Sequence, residues 1–303
     1  LVVWALRKHF ETFRDVEFIK PLYNALVVQP AKWMVEYRDP LPPDLRRGGS
    51  EARGLPKPSW DLWEERRGVH GFTVAATIAG LRAAADFAED FGDEGRAAYW
   101  RRGAAEVEEA LKLILWREGE GRVARMVTPV YDDAGGLLRY EHDLTADSAN
   151  FALFALGALA PEHPIVEAEM QALQRRLGVQ TSVGGFARYE KDYYHQVERE
   201  KTGEVPGNPW LICTLWQAQY AIARARTLED LAPAEAWLEW ACKRASPSGV
   251  LAEQFDPYSG APISVSPLTW SHATVVIAVM DYLEKHRQLL GKAAEAVRKV
   301  TPA

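Results

Sequence analysis

Apolar residues recur along most of the chain at three- and four-residue spacing, so helices dominate the reading. Val3, Trp4, Leu6, Phe10 and Phe13 predict a helix over 2–13; Phe18, Leu22, Leu26, Trp33 and Tyr37 predict a second. A loop rich in Pro, Gly and Arg (39–58) then leads into PSWDLWEERRGVHGFT at 58–73. Further helices are expected over about 72–91, 94–116, 146–159, 164–177, 209–226 and 233–245, with a ninth from 268 to beyond 283. Short strands are expected only around ARMVTPVYDDAGGLLRY (124–140), and the Ala-, Lys- and Glu-rich tail after Leu290 reads as a surface helix.

The connections alternate between tight and long. FGDEGR and ALAPEHP are short helix–helix turns, which imply antiparallel neighbours. Successive helical hairpins would send every long loop to one end, where polar and aromatic residues gather. That is the layout of an α/α toroid with a loop-built face, and functional residues favour such loops.

Composition narrows the function. Hydrophobic residues make up 48% of the 303, enough for a large core. The net charge of −6 excludes the basic face a nucleic-acid partner needs, and no window is apolar enough to span a membrane. Cys213 and Cys242 lie in helical patterns and read as two buried thiols, which leans toward a cytoplasmic setting. The seven histidines lack metal-ligand spacing, so no metal and no cofactor is expected. Asp132 and Asp133 before Gly135 and Gly136 read as a plain turn rather than half a calcium loop.

Three loop segments combine acids or amides with aromatic rings: Trp60 to Arg67; Phe186 to Tyr194 with Gly207 to Trp210; and Leu251 to Phe255 with Leu268 to Ser271. Glycoside hydrolysis needs that chemistry. One carboxyl, its pKa raised by apolar neighbours, protonates the leaving oxygen, while an ionised one activates water or attacks the sugar. Indole faces can stack on sugar rings. Taken alone, Glu64 and Glu65 could equally complement a helix dipole, Arg188 could pair with Asp192 or Glu190, and Trp210 could be core.

SWDLWEERRG, FARYEKDYY with GNPWLICTLW, and VLAEQF with LTWSHAT together resemble glycoside hydrolase family 15, the family of glucoamylases, glucodextranases and some microbial trehalases. The resemblance runs from about Leu1 to Leu290. It implies an all-α (α/α)6 barrel and an inverting reaction, with Glu64 as general acid and Glu253 as general base. It also implies that Leu62, Trp63, Glu65 and Arg188 line the terminal-glucose subsite, and that Trp60, Trp210 and Trp270 form its aromatic walls. An inverting pair requires carboxyls about 6.5–9.5 Å apart, with a water between. The family's Trp-x-Arg-Asp segment is missing here, and about nine helices are read against twelve. The expectation is therefore a catalytic domain over 1–290 that lacks its first helices, followed by a helical tail over 291–303.

The expected activity is exo-acting release of β-glucose from α-glucans or maltooligosaccharides. A trehalase of the same family and a noncatalytic glucan-binding or regulatory module on the same barrel stay open. A terpene-cyclase-like toroid is set aside, since no DDxxD or DxDD motif occurs.

Overall fold

The computed structural model describes residues 1–46, 53–195 and 205–300, the last eight by backbone alone. The chain is mostly helical, with small sheets, and divides into two compact units. Parts of the loops at 39–58 and 178–208, and the end of the tail, lie outside the described residues.

Unit 1 comprises Leu1–Leu144 and Ala152–Ala160. Helix α1 (Val2–Phe13) has the predicted bounds. The expected second helix runs without interruption from Val16 to Glu36, as α2 (Val16–Leu22), a π-helical stretch (Tyr23–Val28) and α3 (Gln29–Glu36). Pro21 and Pro30 bracket the π-helical stretch, and each removes an amide donor from the helical ladder. Next come β1 (Arg38–Pro40) and β2 (Arg53–Pro56), paired antiparallel, then β3 (Ser59–Trp60) and β4 (Arg67–His70). Helix α4 (Gly71–Asp90) is buried along most of its length and packs on α5 (Glu94–Ala110), whose first turn is capped by the Asp93 carboxylate. Phe10 of α1 lies 5.5 Å from the fully buried Phe87 ring. Loss of such a ring costs about 3–5 kcal/mol.

The short pair β5 (Trp116–Arg117) and β6 (Arg122–Val123) precedes the expected hairpin of β7 (Met126–Tyr131) and β8 (Leu137–Asp143). Its turn is held by Asp132, whose Oδ1 accepts from Ala134 N and Gly136 N. β4 adds to β7, giving a four-stranded sheet ordered β3-β4-β7-β8. One helical turn, α6 (Ala152–Ala155), completes the unit.

Unit 2 comprises Thr145–Phe151 and Pro161–Ala303. The helix expected over 146–159 is instead a 3₁₀ turn at Ser148–Phe151 followed by the single turn of α6. Polar side chains compete for the backbone here: Asp147 Oδ1 accepts from Ala149 N, and Ser148 Oγ donates to Ala187 O. Helices α7 (Pro164–Leu177), α8 (Leu211–Arg224), α9 (Ala232–Cys242) and α10 (Thr269–Val300) follow. The backbone of α10 thus carries through most of the expected tail. α8 packs against both α9 and α10, burying Leu211, Leu215, Trp240 and Phe255. Cys213 is buried, but Cys242 ends α9 facing outward, so the two are not a matched buried pair.

Between these helices sit β9 (Phe186–Ala187), β10 (Pro209–Trp210), β11 (Gln254–Phe255) and β12 (Pro262–Ile263). Pro209 and Trp210, expected to start a helix, form a strand instead. The chain enters β9 through Gly185 at φ +89°, where an added Cβ would stand 2.7 Å from the Trp240 ring.

Candidate active site

In unit 1 the DLWEER motif is the tip of a hairpin, not a helix entry. β3 and β4 close its base with Trp60 opposite Arg67. Asp61 organises the tip: its N–H donates to Arg66 O, and its carbonyl accepts from Glu64 N at 3.2 Å. Its Oδ1 also accepts from Glu65 N at 2.8 Å and Arg66 N at 3.3 Å. That closure forces Glu64 to φ +58°, a left-handed conformation a glutamate adopts at a cost of about 1–2 kcal/mol. Glu64 is exposed at the apex of the tip. Such stored strain points toward function when it falls on a chemically active residue.

Around Glu64, Trp60 is 62% exposed while Trp63 is buried and Leu62 half-buried. Glu65 is exposed and receives the Arg66 guanidinium at 2.6 Å. His70 caps the far end of β4 as a buried side chain, and burial pushes its imidazole pKa down, with the Asp61 charge opposing more weakly.

In unit 2 the four-stranded sheet gathers the other motif segments. Phe186 pairs with Trp210, and Trp210 with Gln254, so FARY, GNPW and AEQF lie side by side. Glu253 precedes β11, its N–H donating to Val265 O and its carbonyl accepting from Leu211 N. Its carboxylate is half-buried and oriented: Oε2 accepts from Ser264 Oγ at 2.5 Å and from Gln254 Nε2 at 3.0 Å. Gln254 is fully buried and fixed in turn by Asn208, whose Nδ2 donates to Gln254 Oε1 at 2.9 Å. Among the described residues both side-chain donors reach Oε2, so Oε1 is the oxygen best placed to meet a water.

Arg188 is 4% exposed and donates from Nε and Nη2 to the two oxygens of Asp192 at 2.8 and 2.9 Å. The Tyr189, Tyr194 and Trp210 rings lie 4.6, 5.2 and 4.8 Å from its guanidinium carbon. The ion pair weighed from sequence is therefore present. Trp210 is 3% exposed and packs against Arg188, whereas Trp270 keeps 37% of its surface at the start of α10, 6.0 Å from Trp216.

A family model described as "Glycosyl hydrolases family 15" matches residues 52–280. This chain belongs to glycosyl hydrolases family 15. Among family relatives, an uncharacterized glycosyl hydrolase of Methanocaldococcus jannaschii is 28% identical over 92% of this chain and 40% of its own length. A glucoamylase of Clostridium sp. is 27% identical over 76% of this chain and 34% of its own. The chain thus spans well under half of either relative. A solved bacterial glucoamylase complexed with acarbose matches with a TM-score of 0.67 at 22% identity, over 88% of this chain and 38% of that one. The Saccharomycopsis fibuligera glucoamylase matches with a TM-score of 0.62 at 17% identity, over 88% and 62%. At those identities the likeness concerns the fold.

Within this family 15 chain, the sequence reading gave no individual role to Asp61, Gln254 or Asn208, which lie in its three segments, and did not single out Ser264. Asp61 had a signal, since Asp commonly opens a turn through its own side chain. Ser264 had none: it reaches Glu253 across eleven residues of loop and strand.

Proposed function

We propose that this chain is the catalytic part of an inverting, exo-acting α-glucoside hydrolase of glucoamylase type, built on an (α/α)6 barrel to which 1–290 contribute. In this reading Glu64 donates a proton to the glycosidic oxygen and Glu253 takes one from the attacking water. The C–O bond to the leaving group breaks as the water oxygen bonds the anomeric carbon. The water's proton passes to Glu253, Glu64's to the leaving alcohol, and β-glucose results. Trp60 and Trp270 offer exposed indole faces for sugar rings, with Leu62, Trp63 and Glu65 shaping the subsite. Arg188 and Trp210 act there by bracing it.

The observation that carries the reading is the pair of differently prepared glutamates. Glu64 is presented at the apex of a strained tip, while Glu253 has one oxygen held by two donors. Family membership and the fold's likeness to glucoamylases, one of them an acarbose complex, support an α-glucoside as substrate.

The test is glucose release from maltose, isomaltose, maltoheptaose and trehalose by the full-length parent, with the product anomer read by NMR. β-Glucose from the maltooligosaccharides, lost by several orders of magnitude in Glu64→Gln, is expected. Cleavage of trehalose alone would move the assignment to trehalase. Turnover of none, with glucan binding intact, would favour a binding module.

A further inference from the structure

We propose that unit 1 carries an accessory glucan-binding cleft, walled by Tyr37 and Tyr131, at the foot of the hairpin that bears Glu64. The proposal rests on the α-glucan reading above and adds a second place where this chain meets its substrate.

The cleft has a volume of about 380 Å³ and is lined by Tyr37, Tyr131, Pro58, Pro129, Lys57 and Arg67. A glucosyl ring presents an apolar C–H face and a rim of hydroxyls, and these side chains answer both. Each tyrosine keeps 41% of its surface exposed, and the two prolines extend the apolar wall. Lys57 and Arg67 supply donors for hydroxyls, and the exposed Thr128 at the edge supplies a hydroxyl of its own.

The aromatic wall is preformed. Tyr131 donates its hydroxyl to Asp39 Oδ2 at 2.7 Å, and Asp39 is only 4% exposed, so the ring is pinned from behind. Burial and that carboxylate push the Tyr131 phenol well above its ordinary range, so it stays a donor. Tyr37 is backed by Trp33, stacked at 4.4 Å and 19° and itself 56% exposed, which continues the aromatic surface. A side chain already held in place loses little entropy on binding, so its contact area is used efficiently.

Its position ties it to the candidate active site. Arg67 pairs with Trp60 at the hairpin base, and Thr128 lies on β7, the strand beside β4. One sheet therefore holds both the cleft and the strand pair that presents Glu64. A glucan resting here is held against that sheet, which favours long chains over maltose.

The decisive probe is β-cyclodextrin, an α-glucan ring without the nonreducing end that an exo-acting site requires. Isothermal titration of the full-length parent should show binding. Tyr131→Ala should weaken it about tenfold, the scale of one lost aromatic contact. Tyr131→Phe, which keeps the ring, should retain most of it, and Lys57→Ala, at an exposed side chain, should weaken it several-fold. Melting temperatures recorded alongside identify any variant that has lost its fold, and Lys57→Ala then stands as the test.

Absence of cyclodextrin binding, or equal binding by parent and variants, overturns the cleft. So does a site that takes inorganic sulfate, with no affinity for cyclodextrin, which would make it an anion site. A parent that releases glucose from maltose yet ignores cyclodextrin refutes the cleft and leaves the hydrolase standing. A parent that does neither refutes both.

Discussion

Replacing Asp192 by Ala would take the two-oxygen carboxylate contact away from the buried Arg188 guanidinium. At 2.8 Å and an effective dielectric of about 20, the direct attraction amounts to about 6 kcal/mol before desolvation is counted. Most of that only offsets the cost of burying both charges. The measurable quantity is the cost of removing one partner, about 3–5 kcal/mol for a buried pair. The Tyr189 hydroxyl at 3.0 Å and the three surrounding rings remain, which places the expectation toward 3 kcal/mol.

Because the chain has two units, a single global unfolding curve is a poor readout. Hydrogen exchange at the Ser148 amide is better, since that N–H donates to Arg188 O at 2.8 Å. Its exchange should accelerate by about 10²-fold in Asp192→Ala, the equivalent of about 3 kcal/mol. The double variant Arg188→Met with Asp192→Leu should recover part of the protection, because neither member of this pair is left without the other. An acceleration under about fivefold would refute the reasoning, as would a double variant no better than the single.

Three other outcomes follow from the same geometry. Ser264→Ala removes one of two donors on Glu253 Oε2 and should lower kcat about tenfold with KM little changed, read by steady-state kinetics on maltose. Gly185→Ala meets both a left-handed φ and the Trp240 ring, so it should cost about 2–4 kcal/mol, measured by urea unfolding of unit 2 signals. His70 has a folded pKa below its ordinary 6.5, so the neutral form stabilises the fold; that contribution is full above pH 6.5 and lost as pH falls toward the folded value. The melting transition of unit 1 signals should therefore move down on acidification below pH 6.5, and His70→Gln should flatten that drop.

Much of the helical frame was legible. α1 and α7 have the predicted bounds, and α4 differs by one residue at each end, because each carries an uninterrupted apolar stripe. The second helix was likewise legible; only its π-helical stretch, bracketed by Pro21 and Pro30, was hidden by the apolar spacing. The strands were hard to see for a physical reason. β3, β9, β10 and β11 are two residues each, too short to show any alternation, and they exist only because a distant partner pairs with them. The motifs put Glu64 and Glu253 forward as candidates, but did not show what positions them. Asp61's grip on the tip is local turn chemistry that leaves no periodic trace, and the Asn208–Gln254–Glu253 chain is a product of tertiary packing.

The ladder in unit 2 has a consequence for how such a chain can diversify. Phe186, Trp210 and Gln254 sit in adjacent rungs, although long stretches of chain separate them. Closing a longer loop costs little, about 0.6 kcal/mol for each doubling of its length. Insertions between those rungs can therefore accumulate while Arg188 and Glu253 stay clamped at the same register. Lineages can rebuild the outer rim while the arrangement around Arg188 and Glu253 is inherited unaltered.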